Sequence, residues 1–158
     1  MRSDAKKSTI RAMLGAKVIN EMKVSIPSLS INEGVARSVC AAFCAQLDPT
    51  ATEVADIKCA VSEAVTNCIV HAYRERIGVI YITVKICEGR ILRIDIRDRG
   101  RGIEDVAMAR QPLFTTDAEN ERSGLGFTVM ESFCDNVRVT SKLGKGTNVT
   151  LLKRISER

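Results

Sequence analysis

The spacing of apolar residues changes several times along the chain, and each change predicts a different element. Residues 22–26 alternate between apolar and polar side chains before Pro27, which predicts a short strand. Apolar residues then recur at helical intervals, and Ser30 and Glu33 have the spacing of a capping box. We therefore predict a first helix that ends at about Leu47.

A second, longer helix is predicted from about residue 51 to residue 73. The segment Asp48-Pro49-Thr50 breaks the chain before it, and Thr50 and Glu53 again have capping-box spacing. Apolar residues recur along this segment every three or four positions, as they do on a helix with one buried face.

Two hairpins follow, at about residues 81–96 and 137–152. Strands that are joined by tight turns pair antiparallel. A short helix near residues 105–109 and a longer one opened by Gly124 to Gly126 lie between the hairpins. This order predicts an α/β (α+β) two-layer sandwich, with a mostly antiparallel mixed sheet that helices cover on one face.

Residues 1–20 differ from the rest of the chain. They are polar, lack a clean period, and carry five basic residues against one acidic residue, a net +4 out of the chain's +5. We expect a disordered extension or tag that can be removed without loss of stability, followed by one domain over residues 21–154. The remaining net charge of +1 makes direct nucleic-acid binding a weak hypothesis.

The composition of the chain argues against a membrane protein, a secreted protein and a structural zinc site. No apolar run approaches the roughly 18–20 residues of a membrane span, and the N-terminus lacks the apolar core of a signal peptide. We therefore expect a cytoplasmic protein with no membrane partner. The six cysteines form no C-x-x-C pair and the single histidine is His71, which argues against a structural zinc site. We expect the cysteines to be buried, reduced thiols.

The second helix carries a polar face that is separate from its apolar face. With Glu63 at 0° on a helical wheel, Asn67 falls at about 40° and His71 at about 80°. The apolar residues fall between about 120° and 240°. Such a polar face is often only solvated surface, and the helix alone favours that interpretation.

An acidic residue, Asp98, ends the second strand of the first predicted hairpin. Asp98 shares the parity of the apolar residues of its strand, so its carboxylate is predicted to point to the buried side of the sheet. A buried carboxylate needs a partner, and the amino group of adenine is a suitable donor. Gly100 and Gly102 complete an Asp-x-Gly-x-Gly segment, which by itself is also typical of an ordinary turn.

Two further glycine-rich segments remain ambiguous when each is taken alone. Ser123-Gly124-Leu125-Gly126 precedes a helix, where exposed backbone amides can bind an anion, but a flexible loop has the same composition. Leu143 to Thr147 can be only a hairpin turn, although Thr147 adds a hydroxyl at the start of the last strand.

The four segments together resemble a known superfamily. Glu-x-x-x-Asn on a helix, Asp-x-Gly-x-Gly after a strand, Gly-x-Gly opening a helix and Gly-x-Gly-Thr before the final strand occur in the order of the GHKL ATPases. Longer strings resemble the anti-sigma F factor family of sporulating bacteria over about residues 20–152; these strings are residues 20–22, 45–50, 61–67, 110–116 and 121–131.

That resemblance implies roles for individual residues. Glu63 would be the general base that takes the proton of an acceptor serine, Asn67 would bind Mg²⁺, and Asp98 would accept a hydrogen bond from adenine. The nucleotide-binding residues that it implies are Asn67, His71, Asp98, Gly100, Gly102, Ile103, Thr115, Thr116, Ser123, Gly124, Leu125, Gly126 and Thr147.

The resemblance also implies partners. Family members phosphorylate a serine of an anti-anti-sigma factor with ATP, hold an RNA polymerase sigma factor inactive, bind ATP or ADP with Mg²⁺, and work as homodimers. Arg37 and Arg122, with Glu33 nearby, match positions that face these protein partners. The segment around Arg74 and Arg76 departs from the family, which usually has acidic residues there.

Several alternatives stay open on the sequence. A stress-response switch kinase would share the nucleotide residues and differ in its partners. A histidine-kinase catalytic domain usually lacks the glutamate at position 63, and a gyrase-like or repair ATPase normally adds a second domain. A non-catalytic anti-sigma module that uses ATP only for its conformation would have no need of Glu63.

Overall fold

The computed structural model describes residues 2–112 and 126–158, and their strands form one sheet of five, in the order β1-β2-β3-β5-β4. The strands are β1 (Val18–Pro27), β2 (Val79–Cys87), β3 (Ile91–Arg97), β4 (Asn136–Lys142) and β5 (Gly146–Arg154). All four pairings are antiparallel, so the parallel component of the predicted mixed sheet is absent from the described residues. Each hairpin reverses the chain, and the longer connections also return β1 and β5 antiparallel to their neighbours.

Three helices cover one face of this sheet. Helices α2 (Asn32–Cys44), α3 (Ala51–Asn67) and α5 (Gly126–Phe133) pack side by side, with α3 in the middle, while α4 (Val106–Ala109) is a single turn. The inward side chains of the sheet form the core with them; these include Ile80, Ile82, Val84, Leu92, Ile94 and Ile96. The predicted two-layer arrangement is confirmed.

The two predicted capping boxes have different outcomes. Thr50 and Glu53 form theirs, with Glu53 N donating to Thr50 Oγ1 at 3.1 Å and Thr50 N donating to Glu53 Oε2 at 2.8 Å. The box predicted at Ser30 and Glu33 is wrong, because α2 begins at Asn32 without a side-chain cap. The Glu33 carboxylate instead binds side chains further along the chain.

Helix α3 ends earlier than its apolar period predicts. Residues Cys68–Ala72 form a π-helical segment in place of the last α-helical turns. The N–H of Tyr73 donates to the carbonyl oxygen of Cys68 at 3.0 Å, which closes a wider turn and rotates the side chains that follow Asn67. The predicted wheel angle of His71 therefore does not apply.

The N-terminal segment is folded, in contrast to the disordered extension that its composition predicts. Helix α1 (Arg2–Leu14) ends with Met13 only 3% exposed, packed against Cys87, Ile91 and Leu152. These sheet residues alternate with core residues, so α1 lies on the face opposite α2 and α3. The apolar residues of α1 that make this contact with the sheet are Ile10, Met13 and Leu14. The domain limits of 21–154 remain a prediction.

The structure also bears on the expectations for cysteine burial, metal sites and membrane spans. All six thiols are free, and four are buried, but Cys59 is exposed and Cys134 is half-buried, so the expectation of uniform burial is wrong. Residues 2–112 and 126–158 contain no His, Cys, Asp and Glu cluster that could hold a metal ion. No helix in that same part of the chain is long and apolar enough to cross a membrane.

Candidate functional site

Asp98, directly after β3, is the buried carboxylate of the site. It is 4% exposed and points to the helix face of the sheet, as its parity predicts. Its Oδ1 accepts hydrogen bonds from the N–H of Gly100 at 2.9 Å and of Thr147 at 3.2 Å. Burial raises the pKa of Asp98, and these hydrogen bonds, with one from Cys68, offset that rise in part.

The Cys68 thiol supplies the remaining contact of Asp98. Its sulfur lies 3.6 Å from Oδ2 as a weak donor. Burial, and then the neighbouring carboxylate, raise the pKa of Cys68 well above its ordinary value, so the thiol stays protonated. A thiol is a poor donor, which leaves Oδ2 able to accept a stronger hydrogen bond from a ligand amine.

Glycines let the segments around Asp98 approach one another. A Cβ on Gly100 would overlap the carbonyl oxygen of Ala72, and a Cβ on Gly102 would overlap that of Lys142. Gly102 also has a φ of +75°, which side-chain-bearing residues rarely adopt. The Asp-x-Gly-x-Gly segment is thus pressed between the end of the π-helical segment and the β4–β5 hairpin.

Ser141 is a part of this site that sequence reasoning missed. Its Oγ accepts from the N–H of Ile103 at 2.8 Å and lies 2.8 Å from Oγ1 of Thr147. It thereby fixes the loop after Asp98 to the start of β5. The available signal was the register of the hairpin, in which Ser141 stands directly opposite Thr147.

Glu63 and Asn67 come together with the start of α5. A Cβ built on Gly126 would lie 3.3 Å from Oε2 of Glu63 and 3.4 Å from Oδ1 of Asn67, so both side chains end next to the first residue of α5. Both side chains are half-buried on the face of α3 predicted to be polar. Asn67 and Cys68 are adjacent in sequence but reach opposite ends of the site. Asn67 ends beside Gly126 of α5, and Cys68 contacts Asp98.

The π-helical segment changes how His71 is placed. The residue is half-buried within Cys68–Ala72, where the helix is widened. Single π turns inside helices frequently occur at functional sites. Here the segment brings the carbonyl oxygen of Ala72 to the N–H of Arg101 at 3.2 Å, next to Gly100.

Two of the three predicted partner-binding residues form a network. Nη1 of Arg37 donates to Oε1 and Oε2 of Glu33 at 2.8 and 2.9 Å, and the Ser62 hydroxyl donates to the same carboxylate. The network joins α2 to α3 at the residue before Glu63. The guanidinium is about half-exposed and can meet a partner.

Six of the predicted site residues lie outside the described residues. They are Thr115, Thr116, Arg122, Ser123, Gly124 and Leu125. Their proposed roles over the phosphates, or toward partners, remain predictions.

Comparison with known proteins places this fold and site in a class. The family described as "Histidine kinase-like ATPase domain" matches residues 26–153, which is most of the chain. The chain belongs to this family of ATPase domains, and the resemblance to GHKL ATPases is confirmed.

Two curated relatives define a narrower group. A protein of Caldanaerobacter subterraneus subsp. tengcongensis named "Anti-sigma F factor" is 57% identical over 136 residues, which are 86% of this chain and 94% of the relative. A protein of Anoxybacillus flavithermus with the same name is 54% identical over 139 residues, covering 87% and 94%. Within the ATPase class, the chain belongs to the anti-sigma F factor family.

Solved structures agree with the fold. The RsbU and RsbW domains of Rv1364c from Mycobacterium tuberculosis match 87% of this chain with a TM-score of 0.62 and 21% identity. Full-length ShkA in complex with AMPPNP matches 98% of it with a TM-score of 0.57 and 15% identity. The chain spans 32% and 36% of those two longer chains, so the likeness concerns one domain of each.

Proposed function

We propose that this chain is an ATP-dependent protein-serine kinase that also sequesters a sporulation sigma factor, sigma F. Its substrate would be the anti-anti-sigma factor, phosphorylated on a serine. The name "Anti-sigma F factor" that both relatives carry supports the sigma-factor half of the proposal. The kinase half rests on one observation: the carboxylate of Glu63 and the amide of Asn67 lie beside the start of α5, while the next residue in sequence, Cys68, contacts the buried Asp98.

The arrangement fits a nucleotide that lies along α3. Asp98 has an acceptor oxygen whose only donor among the described residues is a weak thiol, which suits the adenine amino group. At the other end, the start of α5 offers backbone amides and a favourable dipole to phosphates. Gly100, Gly102, Ile103 and Thr147 would shape the adenine end, with His71 beside it.

Asn67 would hold Mg²⁺ through its amide oxygen, an oxygen ligand of the kind that this ion takes. When bound, the ion neutralises phosphate charge and so favours phosphoryl transfer. The residues present fit this role, because the Asn67 amide and the Glu63 carboxylate both end beside Gly126, which leaves oxygen atoms next to the proposed phosphate end of the site.

Glu63 would act as the general base. The serine oxygen forms a bond to the γ-phosphorus, the bond from that phosphorus to the bridging oxygen breaks, ADP leaves, and the serine proton goes to Glu63. Base catalysis of this kind typically contributes about 10²- to 10⁴-fold. The role is supported by the position of Glu63, which is half-buried and ends, like Asn67, beside the start of α5.

Glu63→Gln tests the kinase assignment. The substitution keeps size and hydrogen-bonding reach but removes basicity, so ATP binding and sigma-factor binding should remain. Transfer of labelled γ-phosphate to the anti-anti-sigma factor should fall by at least about a hundredfold. Glu88→Gln, on the exposed turn between β2 and β3, is the matched control and should transfer normally.

Three other results would redirect the proposal. Undiminished transfer by Glu63→Gln would remove the base assignment. If the unsubstituted chain transfers no phosphate, the non-catalytic anti-sigma module is favoured. If it phosphorylates only the partner of a stress-response system, the related switch kinase is favoured.

The assembly of the proposed complex follows from the family. The chain would act as a cytoplasmic homodimer, and Arg37, held by Glu33, would pair with an acidic group of the sigma or anti-anti-sigma factor. Arg122 would act beside it.

A further inference from the structure

An open pocket of about 600 Å³ lies beside the proposed nucleotide site, and four of its nine lining residues are arginines. Arg74 and Arg76 come from the turn after the π-helical segment, and Arg99 and Arg101 from the loop after β3. The other lining residues include Glu75, its single carboxylate, and the backbone at Gly100 and Gly144. We call this feature the arginine pocket; none of its arginines belongs to the site proposed above.

Two of these guanidinium groups are held in place before any ligand binds. Arg76 stacks over the ring of Tyr73 at 5.3 Å and donates to the carbonyl oxygen of Arg99 at 3.2 Å. Arg99 in turn stacks over the ring of Tyr81 at 5.0 Å. Fixing flexible side chains in advance lowers the entropy cost of binding a partner.

Tyr73 is itself anchored. Its hydroxyl donates to the carbonyl oxygen of Val79 at 2.7 Å and accepts from the N–H of Arg99 at 2.6 Å. A Cβ on Gly78 would overlap the Tyr73 ring, so the loop is packed tightly on it. The tyrosine on which Arg76 stacks is therefore held in place by hydrogen bonds and close packing.

Among the residues that line the pocket, four arginines stand against one carboxylate, that of Glu75. Elsewhere arginines pair with carboxylates, as Arg93 does with Asp95 and Arg110 with Glu131. Arg76, Arg99 and Arg101 form no ion pair with a carboxylate of residues 2–112 or 126–158. A pocket whose lining carries this excess of positive charge attracts an anionic partner.

Apolar side chains flank the charge. Ile77 is 66% exposed and follows Arg76, while Leu143 is 62% exposed and precedes Gly144. Arginine together with exposed apolar side chains is the composition of protein–protein interfaces. A nucleic-acid site would need a continuous basic surface, yet the chain after residue 20 carries a net charge of only +1.

We propose that the arginine pocket docks an acidic segment of a protein partner, with apolar side chains of that segment against Ile77 and Leu143. Guanidinium forks match carboxylates in geometry, and a concave pocket admits a narrow chain segment better than a flat lipid surface. The inference goes beyond the proposed function, because it needs neither nucleotide nor phosphoryl transfer.

A binding assay with a defined probe tests the proposal. The probe is a short fluorescein-labelled peptide of alternating glutamate and leucine, followed by fluorescence anisotropy. The double variant Arg76→Glu/Arg101→Glu should bind it at least about tenfold more weakly, and added salt should weaken binding to the unsubstituted chain. Arg138→Glu, exposed on β4 outside the pocket, makes the same kind of charge change and should bind normally.

Several outcomes would overturn the proposal. One is equal binding by the double variant, and another is equal binding of a peptide with glutamine in place of glutamate. A third is arginine-dependent binding that is tighter to phosphatidylserine vesicles or to poly-uridine RNA than to the peptide. If the double variant unfolds, Arg76→Gln/Arg101→Gln replaces it, with an intermediate loss expected. A failure of phosphoryl transfer leaves this test unaffected.

Discussion

The substitution Asp98→Asn should lower ATP affinity without lowering the stability of the fold, because it changes the one buried oxygen, Oδ2, that is proposed to accept from adenine. The amide oxygen can still accept from the N–H groups of Gly100 and Thr147, at 2.9 and 3.2 Å in the unsubstituted chain. The amide nitrogen, however, replaces Oδ2, the oxygen proposed to accept from adenine. When ATP binds, the asparagine amide nitrogen and the adenine amino group are then two donors facing each other. They meet in a buried site, where Asp98 is only 4% exposed.

The loss of ATP affinity can be bounded from these contacts. A hydrogen bond to a charged group contributes about 1.5–3 kcal/mol, and an unsatisfied buried donor costs about 1–3 kcal/mol. The first contribution alone raises the Kd for ATP about 10- to 150-fold, since about 1.4 kcal/mol is tenfold. Isothermal titration calorimetry with ATP and Mg²⁺ measures this change directly.

The folding stability of Asp98→Asn at pH 7 should be equal to or higher than that of the unsubstituted chain, although its ATP affinity falls. Burial raises the pKa of Asp98 above its ordinary value of 3.8. The stability associated with its protonated form is present below that ordinary value and is lost as pH rises through the raised pKa. At neutral pH the folded chain therefore holds an unfavourable buried charge, which asparagine removes. Thermal unfolding should show Asp98→Asn at least as stable as the unsubstituted chain at pH 7, with its advantage shrinking toward pH 4.

Asp95→Asn is the matched control. Asp95 lies on the same strand but on the opposite face, where it accepts from Arg93 at 2.9 Å and from Thr150 at 2.6 Å. Its substitution should leave ATP affinity unchanged and lower stability slightly. The reasoning fails if Asp98→Asn binds ATP normally, or if it is markedly less stable than Asp95→Asn at pH 7.

Other parts of the molecule give three further predictions. Asn67→Ala should abolish the dependence of ATP affinity on Mg²⁺ at little cost in stability, because the side chain is half-buried outside the core; titration with and without the ion decides this, and a preserved dependence contradicts it. Met13→Ala should lower the free energy of unfolding by about 1–3 kcal/mol, at or below the usual range for a buried methionine because the cluster is small; denaturant unfolding checks it, and no change would mean that α1 does not pack as described. Ser62→Ala should weaken sigma-factor binding but not ATP affinity, because Ser62 orients Glu33, which holds Arg37; equal sigma-factor binding would show that the orientation is not needed, and Ser62→Thr should restore it.

The elements were predictable because their causes are local. The capping box of α3 uses two residues three positions apart, and the inward side chain of Asp98 follows from the alternation of β3. The polar face with Glu63 and Asn67 follows from the helical period. Where local rules compete, prediction failed: Glu33 could cap α2 or bind Arg37 and Ser62, and tertiary contact decided for the latter.

The order of the elements, the core faces and the candidate roles of Glu63, Asn67 and Asp98 could thus be predicted from residue patterns alone. Which distant residues meet became visible only in the folded chain: Cys68 with Asp98, Gly126 with Glu63, Ser141 with Ile103, and Met13 with Leu152. Folding also gathered four arginines from two loops into one pocket. The physical reason is that periodicity constrains neighbours three or four residues apart, whereas contacts between distant segments depend on how the whole sheet and its helices pack.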